Sequence, residues 1–522
     1  MKDVIIIDST LPAIGHSLEY LFKAVNSGET PIEMIFSKIK DLSFEKIVLL
    51  PREEDEVKDR IKEFCKEKKV SHWTAKEKTG NNADLYRNIN QLVNEKSIEN
   101  IILCYIDSPL IDMTMLDRLY RAHKDNLAEY TFGDNFAGGL VPEILSREFI
   151  RKISEHQYKK PDVLSRNVFD CIDADINKFF IEVEIAEVDL SLLRVEFTAS
   201  NLRNFILLEN LLKHTDKSDG YKKYYEAIQK NPEILFIAPK YIEIEITNET
   251  NISSIIKPAS AGKMTRRIKK MDLSLYKKII DQVSDPWNDI IISYSLMGEP
   301  LLHPDILKFL DYAIEDNKIF TVIIETNGIN LDQELIKKLS AYPAEKLVLL
   351  FHLDSIIRET YYKLNKTDDK DALDKTVKNI NEFINYNEYN RLRSFVQITK
   401  IKENNLEIED FYNFWQSKGV QVVIQKYNGY LGALEDRSVV DITPLDRVPC
   451  WHLQRDLEIL VNGDVPVCKQ DFDGKIIVGN LGKDPVKGIW DKIKKFYLYN
   501  YKAEYNKLKI CSSCDEWYTY NF

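Results

Sequence analysis

The chain has 522 residues, of which 44% are hydrophobic, and a formal net charge of −11 from 72 basic and 83 acidic side chains. An acidic chain without a long basic run is not expected to bind nucleic acid, and neither a membrane-spanning segment of roughly 20 apolar residues nor a signal peptide is recognisable. We therefore expect a cytoplasmic protein, whose seven cysteines are reduced thiols or metal ligands rather than disulfides.

The first region, residues 1–238, alternates apolar runs with amphipathic helical patterns. We predict strands at residues 4–8, 46–50 and 101–107, helices at 56–67 and 115–124, and a helical extension near 190–230. This pattern is typical of an α/β domain with a doubly wound, mostly parallel sheet, whose ligands bind beyond the carboxyl ends of the strands. The third predicted strand ends at Asp107, which is therefore either a ligand-binding carboxylate or an ordinary turn residue before Ser-Pro.

The second region, residues 239–445, repeats the strand–helix pattern more regularly. We predict strands at 241–247, 289–295, 320–326, 346–354, 394–401 and 420–427, separated by helices at 273–283, 304–315, 332–341, 370–386 and 408–417. Strands in succession with helical crossovers predict a partial (β/α)6 barrel of the TIM type, with its working face at the carboxyl ends of the strands.

The third region, residues 446–522, holds four cysteines in the spacing Cys450-x17-Cys468-x42-Cys511-x2-Cys514. Four thiolates suit an iron–sulfur cluster, and they also suit tetrahedral zinc. Gly463 and Asp464 are typical of a hairpin turn that would bring Cys468 to the site. The remaining alternative is that these four thiols are buried and bind no metal. For the three isolated cysteines, Cys65, Cys104 and Cys171, we expect ordinary buried thiols.

The order of motifs in this region resembles a SPASM or twitch domain, the auxiliary-cluster domain that follows the barrel of many radical SAM enzymes. The resemblance is carried by Cys450, the Gly463-x4-Cys468 segment, Gly479-Asn480-Leu481, Ile489-Trp490 and Cys511-x2-Cys514-Asp515. A full SPASM domain carries more cysteines and a second cluster. The four cysteines here therefore imply one auxiliary-type [4Fe–4S] cluster.

The barrel region is similar to the radical SAM fold. Met297-Gly298-Glu299-Pro300 resembles the motif that engages the amino group of S-adenosylmethionine, and Glu325-Thr326-Asn327-Gly328 resembles the strand-end motif of the third unit. The resemblance implies an S-adenosylmethionine site at Gly298, Glu299 and Pro300.

The loop after the first barrel strand departs from the radical SAM pattern, which places the cluster ligands there. The family places Cys-x3-Cys-x2-Cys after the first strand, whereas this chain has Thr250, Ser254 and Lys257 at the matching positions and no cysteine between Cys171 and Cys450. Hydroxyls and an ammonium do not hold a low-potential cluster, which is ligated by thiolates. We therefore expect no radical chemistry.

The whole layout resembles the spiro-SPASM family, which joins a nucleotidyltransferase-like domain, a barrel lacking the radical SAM cysteines and a SPASM-type carboxyl terminus. In this resemblance Asp107 matches the aspartate that holds Mg²⁺ against nucleotide phosphates. The corresponding phosphate loop, residues 8–17, has one glycine, Gly15, and no Lys or Arg follows it before Lys23.

Three functions follow from these patterns. The first is an iron–sulfur protein without radical SAM activity. The second is a Mg²⁺-dependent, cytidylyltransferase-like enzyme that acts through Asp107. The third is a barrel that binds S-adenosylmethionine or a peptide without reductive cleavage. The expected partner is a small molecule or a peptide.

Overall fold

A computed structural model of the chain describes residues 2–10, 18–156, 166, 168–287, 289–315 and 319–520. The chain divides into two units, residues 1–237 and 238–522. The predicted barrel and the predicted cysteine region therefore belong to one unit. Within the described residues, every helix is too short or too polar to cross a lipid bilayer.

The amino-terminal unit is an α/β domain. Its strands and helices are β1 Lys2–Asp8, α1 Pro31–Ile39, β2 Glu45–Leu50, α2 Glu56–Lys68, β3 Ser71–Thr74, α3 Asn82–Lys96, β4 Ile98–Tyr105, α4 Met113–Asp125, β5 Tyr130–Asp134, β6 Glu143–Ser146, α5 Arg147–Ser154, β7 Ile181–Ile185, α6 Leu202–Leu212 and α7 Tyr221–Lys230.

These strands form a sheet in the order β3-β2-β1-β4-β6-β5-β7. β1 pairs in parallel with both β2 and β4, and β6 is antiparallel to its two neighbours. The apolar runs of β1 and β4 are buried because helices cover the sheet. The predicted doubly wound, mostly parallel sheet is confirmed.

The carboxyl-terminal unit contains the barrel and the cysteine region. Its elements are β8 Tyr241–Ile244, β9 Ser253–Ser254, α8 Leu273–Ser284, β10 Ile291–Tyr294, α9 Ile306–Ile314, β11 Thr321–Thr326, α10 Gln333–Leu339, β12 Leu347–His352, α11 Arg358–Leu364, β13 Asn365–Lys366, α12 Ala372–Tyr386, α13 Glu388–Leu392, β14 Ser394–Lys400, α14 Ile408–Gln416, β15 Gln421–Lys426, α15 His452–Arg455, β16 Asp456–Ile459, β17 Asp464–Pro466, β18 Ile477–Asn480 and α16 Val486–Tyr501.

The barrel sheet has the order β15-β14-β12-β11-β10-β8-β16, and every neighbouring pair is parallel. The six predicted barrel strands are all present. A seventh strand, β16, comes from the cysteine region and pairs with β8, so that region supplies part of the barrel wall.

The turn at Gly463 differs from the predicted hairpin in one respect. Gly463 has φ +83°, a conformation that glycine adopts without a steric penalty, and its N–H donates to Leu460 O at 2.8 Å. The strands on either side join different sheets, because β16 pairs with β8 while β17 pairs with β18. The turn therefore connects the barrel wall to β17, the strand of the small sheet that precedes Cys468.

Candidate metal centre and barrel cavity

The four cysteines of the carboxyl-terminal region line one small cavity. Cys450 lies before α15, and its N–H donates to Asn500 Oδ1 on α16 at 2.8 Å. Cys468 follows β17, while Cys511 and Cys514 flank a single turn in which Cys514 N–H donates to Cys511 O. Three separate segments therefore bring the thiols together.

Burial raises the pKa of each of the four thiols, since a thiolate is costly in a dry environment. Backbone N–H groups two residues further along oppose this effect at three of them. The N–H of His452, together with that of Leu453, lowers the pKa of Cys450, that of Gln470 lowers the pKa of Cys468, and that of Glu516 donates to Cys514 Sγ at 3.4 Å. Such N–H···S bonds favour the thiolate form that a metal cluster requires.

Arg447 adds a positive charge to the same cavity. Its guanidinium stacks on Tyr505 at 4.2 Å and lowers the pKa of Cys511, and its buried Nε and Nη2 have no hydrogen-bond partner in the described part of the chain. Four thiols, N–H groups directed at sulfur and a buried cation fit an anionic thiolate cluster. As the side chains stand, no three His, Cys, Asp or Glu groups of the described residues are arranged to hold a metal ion.

Two ion pairs tie the cysteine turn to the barrel. Lys426, the last residue of β15, donates to Asp515 Oδ2 and to Glu516 Oε1, both at 2.6 Å. Lys469 and Glu516 line both the thiol cavity and a larger cavity inside the barrel. The two cavities therefore share walls.

The barrel cavity has a volume of about 180 Å³. Thr250, Ser254 and Lys257, which stand where the radical SAM pattern has cysteines, all line it. The fold therefore brings these three side chains to one cavity.

Gly298, Glu299 and Pro300 lie after β10 at the mouth of the barrel. A side chain at position 298 would come within 1.9 Å of Thr247 O, so the loop needs glycine there to pass the end of β8. Glu299 accepts hydrogen bonds from Leu301 N, Thr326 Oγ1 and Asn327 N. Pro300 begins a short 3-10 helix. The motif therefore joins three loops.

Sequence reasoning missed the acidic interior of the barrel. Glu243 on β8 and Glu245 just after the end of β8 are buried at 6% and 0% exposure, and Glu243 lines the cavity with Glu325 and Asp354. The alternation Ile-Glu-Ile-Glu could have indicated this acidic interior. Alternate residues of a strand point to opposite faces, and the outer helices cover the apolar face, so the acidic residues face inward.

Glu245 is held by Arg266, from the basic loop that follows β8. Arg266 Nη1 and Nη2 donate to the two carboxylate oxygens at 2.8 and 2.6 Å, and its Nε donates to Phe472 O of the cysteine region at 2.8 Å. One guanidinium therefore links the barrel strand to the region that carries Cys468.

Asp107 of the amino-terminal unit is paired with Arg166, a partner that the sequence did not predict. Arg166 contacts both carboxylate oxygens of Asp107, one of them at 2.7 Å, and stacks on Tyr105 at 4.4 Å. Asp8, at the end of β1, is buried with its pKa raised to about 6, chiefly by burial. Most of the proposed phosphate loop, including Gly15, lies outside the described residues.

Family models match the two halves of the carboxyl-terminal unit. The radical SAM superfamily matches residues 250–414, and SPASM, an iron–sulfur cluster-binding domain, matches residues 450–515. An uncharacterized protein of Treponema pallidum (strain Nichols) is 30% identical over 362 residues, which are 68% of this chain and 98% of that protein. The chain contains a radical SAM domain followed by a SPASM domain, so the predicted combination of barrel and carboxyl terminus is confirmed.

Two other known proteins are similar to parts of the chain. The S-adenosyl-L-methionine-dependent 2-deoxy-scyllo-inosamine dehydrogenase of Niallia circulans is 23% identical, over 52% of this chain and 92% of that enzyme. A cytidylyltransferase structure from Leptospira borgpetersenii has a TM-score of 0.38 at 22% identity, and the match covers 45% of this chain and 96% of the other.

Proposed function

We propose that the protein is an iron–sulfur protein that holds one auxiliary-type [4Fe–4S] cluster at Cys450, Cys468, Cys511 and Cys514. The observation that carries the proposal is that all four thiols line one cavity, which also contains the Arg447 guanidinium. Forming the site requires the thiols to turn toward a common point. Zinc bound by the same four thiols is the alternative. Measuring the iron, sulfide and zinc content of the purified protein distinguishes the two.

The residues around the thiols have defined tasks in this proposal. The thiolates would bind the cluster, and the backbone N–H groups of His452, Gln470 and Glu516 would hold the sulfurs in the charged form. Arg447 would balance the negative charge of the cluster. A cluster of this kind supplies one-electron transfer when bound, at a potential that hydrogen bonds to sulfur and burial adjust.

We propose further that the barrel performs no radical chemistry. Thr250, Ser254 and Lys257 line the cavity at the positions of the cluster ligands, and none of them is a thiolate. Incubation of the anaerobic, reduced protein with S-adenosylmethionine should yield no 5′-deoxyadenosine. Its formation above the level seen with protein-free controls would contradict this part of the proposal.

Binding of S-adenosylmethionine or a peptide without cleavage is the first alternative. Gly298 and Glu299 line the barrel cavity, which favours a ligand there, and the relative from Niallia circulans is S-adenosylmethionine-dependent by name. Because Glu299 already accepts three hydrogen bonds from the protein, we infer a mainly structural role for it. Equilibrium dialysis with labelled S-adenosylmethionine tests this inference, and retention by the protein would restore a binding role to the motif.

Mg²⁺-dependent nucleotide transfer is the second alternative, and it concerns the amino-terminal unit. A cavity of about 620 Å³ lies beside Arg166 and is lined by Tyr105, Phe132 and Phe169, which could stack on a base. The Asp107–Arg166 pair must open before Asp107 can bind a metal. Calorimetric titration with the four nucleoside triphosphates in Mg²⁺ tests the alternative, and heat with one of them would support it.

A further inference from the structure

Glu243 is the part of the barrel cavity that the proposed iron–sulfur function leaves unexplained. The residue lines the cavity and is 6% exposed. Its Oε1 accepts a hydrogen bond from Ser295 Oγ at 3.3 Å, whereas the buried Oε2 has no hydrogen-bond partner among the described residues. A buried carboxylate oxygen without a partner is costly, and native proteins keep such groups where a ligand completes them.

The other carboxylates of the cavity are already satisfied. Glu299 accepts three hydrogen bonds from the protein. Glu325 accepts from Ser293 Oγ at 2.9 Å and is hydrogen-bonded to His352 Nε2 at 3.1 Å. Asp354 accepts from the N–H of Thr399 at 2.9 Å. Among the described carboxylates that line the cavity, Glu243 is therefore the one with a buried oxygen that accepts no hydrogen bond, although the charge of Lys469 acts on it.

The cavity also carries an excess of negative charge. Its acidic side chains are Glu243, Glu299, Glu325, Asp354 and Glu516, and its lysines are Lys257, Lys426 and Lys469. Lys426 is already engaged by Asp515 and Glu516, and the charge of Lys469 acts on Glu243, whose pKa it lowers. Of the cavity's lysines, Lys257 is then left to face Glu299, Glu325 and Asp354. The imbalance favours a ligand that brings a positive charge.

The size and the remaining lining limit what that ligand can be. A volume of about 180 Å³ holds on the order of a dozen water-sized groups. Between the charged residues lie amide and hydroxyl groups, among them Asn251, Gln397, Thr399 and Gln425. Such groups exchange hydrogen bonds with hydroxyls, and apolar side chains contribute only part of the wall.

We propose that the barrel cavity binds a small hydroxylated primary amine, whose ammonium group pairs with Glu243. Gly298 and Glu299 line the same cavity, but the Glu299 carboxylate is already used by the protein, so Glu243 is the carboxylate that the ammonium would meet. The inference goes beyond the proposed iron–sulfur function and does not depend on the cluster being present.

Calorimetry with matched probes on the full chain tests the inference. Glucosamine is compared with glucose, and serinol with glycerol, so that each pair differs in the ammonium group. We expect the wild-type protein to bind at least one amine and to bind it more tightly than its neutral counterpart. Glu243→Gln should weaken that binding by roughly 30-fold or more, the cost of removing one partner of a buried charge pair.

Glu249→Gln is the control for the loss of an acidic charge near the cavity, because Glu249 directly precedes Thr250 but does not line the cavity. It should bind the amine as the wild type does. Glu243→Asp, which keeps the charge, should bind with intermediate affinity and covers the case in which the glutamine variant does not fold.

Two results would overturn the inference: amines that bind no better than their neutral counterparts, or a folded Glu243→Gln protein that binds the amine as the wild type does. Iron content is measured on the same samples and should be equal in wild type and variants. Amine binding by a protein without iron would remove the cluster proposal and leave this one standing.

Discussion

Glu243 and Glu458 lie in register on two neighbouring parallel strands, β8 and β16, and both side chains are buried. Burial, and then the charge of its neighbours, raises the pKa of each carboxyl group. Because β16 belongs to the cysteine region, this pair shows that the SPASM domain completes the barrel wall. The thiol cavity and the barrel cavity therefore belong to one unit.

The pair predicts a pH dependence of stability. The pKa of Glu243 is raised from the usual range to about 7, by burial first and then by Glu325 and Asp456, while Lys469 lowers it. A carboxyl group whose folded-state pKa is raised stabilises the fold below its unfolded pKa, near 4.5, and that contribution is lost as pH rises to about 7.

Urea unfolding of the full chain between pH 5 and pH 8 measures this contribution. We expect the free energy of unfolding to fall more steeply with pH in the wild type than in Glu243→Gln, which has no charge to bury. Parallel pH profiles of the two proteins would show that the pKa of Glu243 is not raised in the folded state.

The Arg266–Glu245 pair predicts a large loss of stability when one partner is removed. Arg266→Met leaves the fully buried Glu245 unpaired and also removes the hydrogen bond to Phe472 O, so we expect a loss of about 3–5 kcal/mol in the free energy of unfolding. The double variant Glu245→Gln/Arg266→Met should regain much of this loss. Arg267→Met, at the exposed neighbouring position, should change stability by less than about 0.5 kcal/mol.

Single cysteine variants test the ligand set. Cys468→Ser and Cys514→Ser should each lose most of the iron and the associated visible absorption, because a hydroxyl replaces a thiolate ligand. Cys65→Ala is the control, since Cys65 lies buried on α2 of the other unit and should leave the iron content unchanged. Equal iron in all three proteins would exclude Cys468 and Cys514 as ligands.

Restoring cysteines to the barrel loop tests whether only the ligands are missing there. Thr250, Ser254 and Lys257 line one cavity, so the triple variant Thr250→Cys/Ser254→Cys/Lys257→Cys should bind a second cluster, with about four more iron atoms per chain. Elemental analysis after anaerobic reconstitution gives the number. A folded triple variant with the iron content of the wild type would mean that the loop has changed in more than its ligands.

The barrel was predictable because each of its six predicted strands is a short apolar run followed by a helical pattern, and such a succession has few possible folds. The extra strand β16 was not predictable. Its sequence, Asp-Leu-Glu-Ile, is half acidic, and it pairs with β8 more than 200 residues earlier in the chain. No local window contains that information.

The four cysteines were predictable as a set of metal ligands because their number, their spacing and the motifs between them are all visible in the sequence. The partners of Asp107 and Glu245 were not, since Arg166 and Arg266 meet them only through the fold. Buried carboxylates such as Glu243 were missed for the same reason: the sequence shows an acid on a strand, and only the sheet shows that it faces the interior.

The iron, sulfide and zinc content of the full chain, purified without oxygen, shows whether the four cysteines hold a single iron–sulfur cluster. We expect about four iron and four sulfide per chain, with zinc absent. A colourless protein with one zinc per chain, or with no metal after reconstitution, would contradict it.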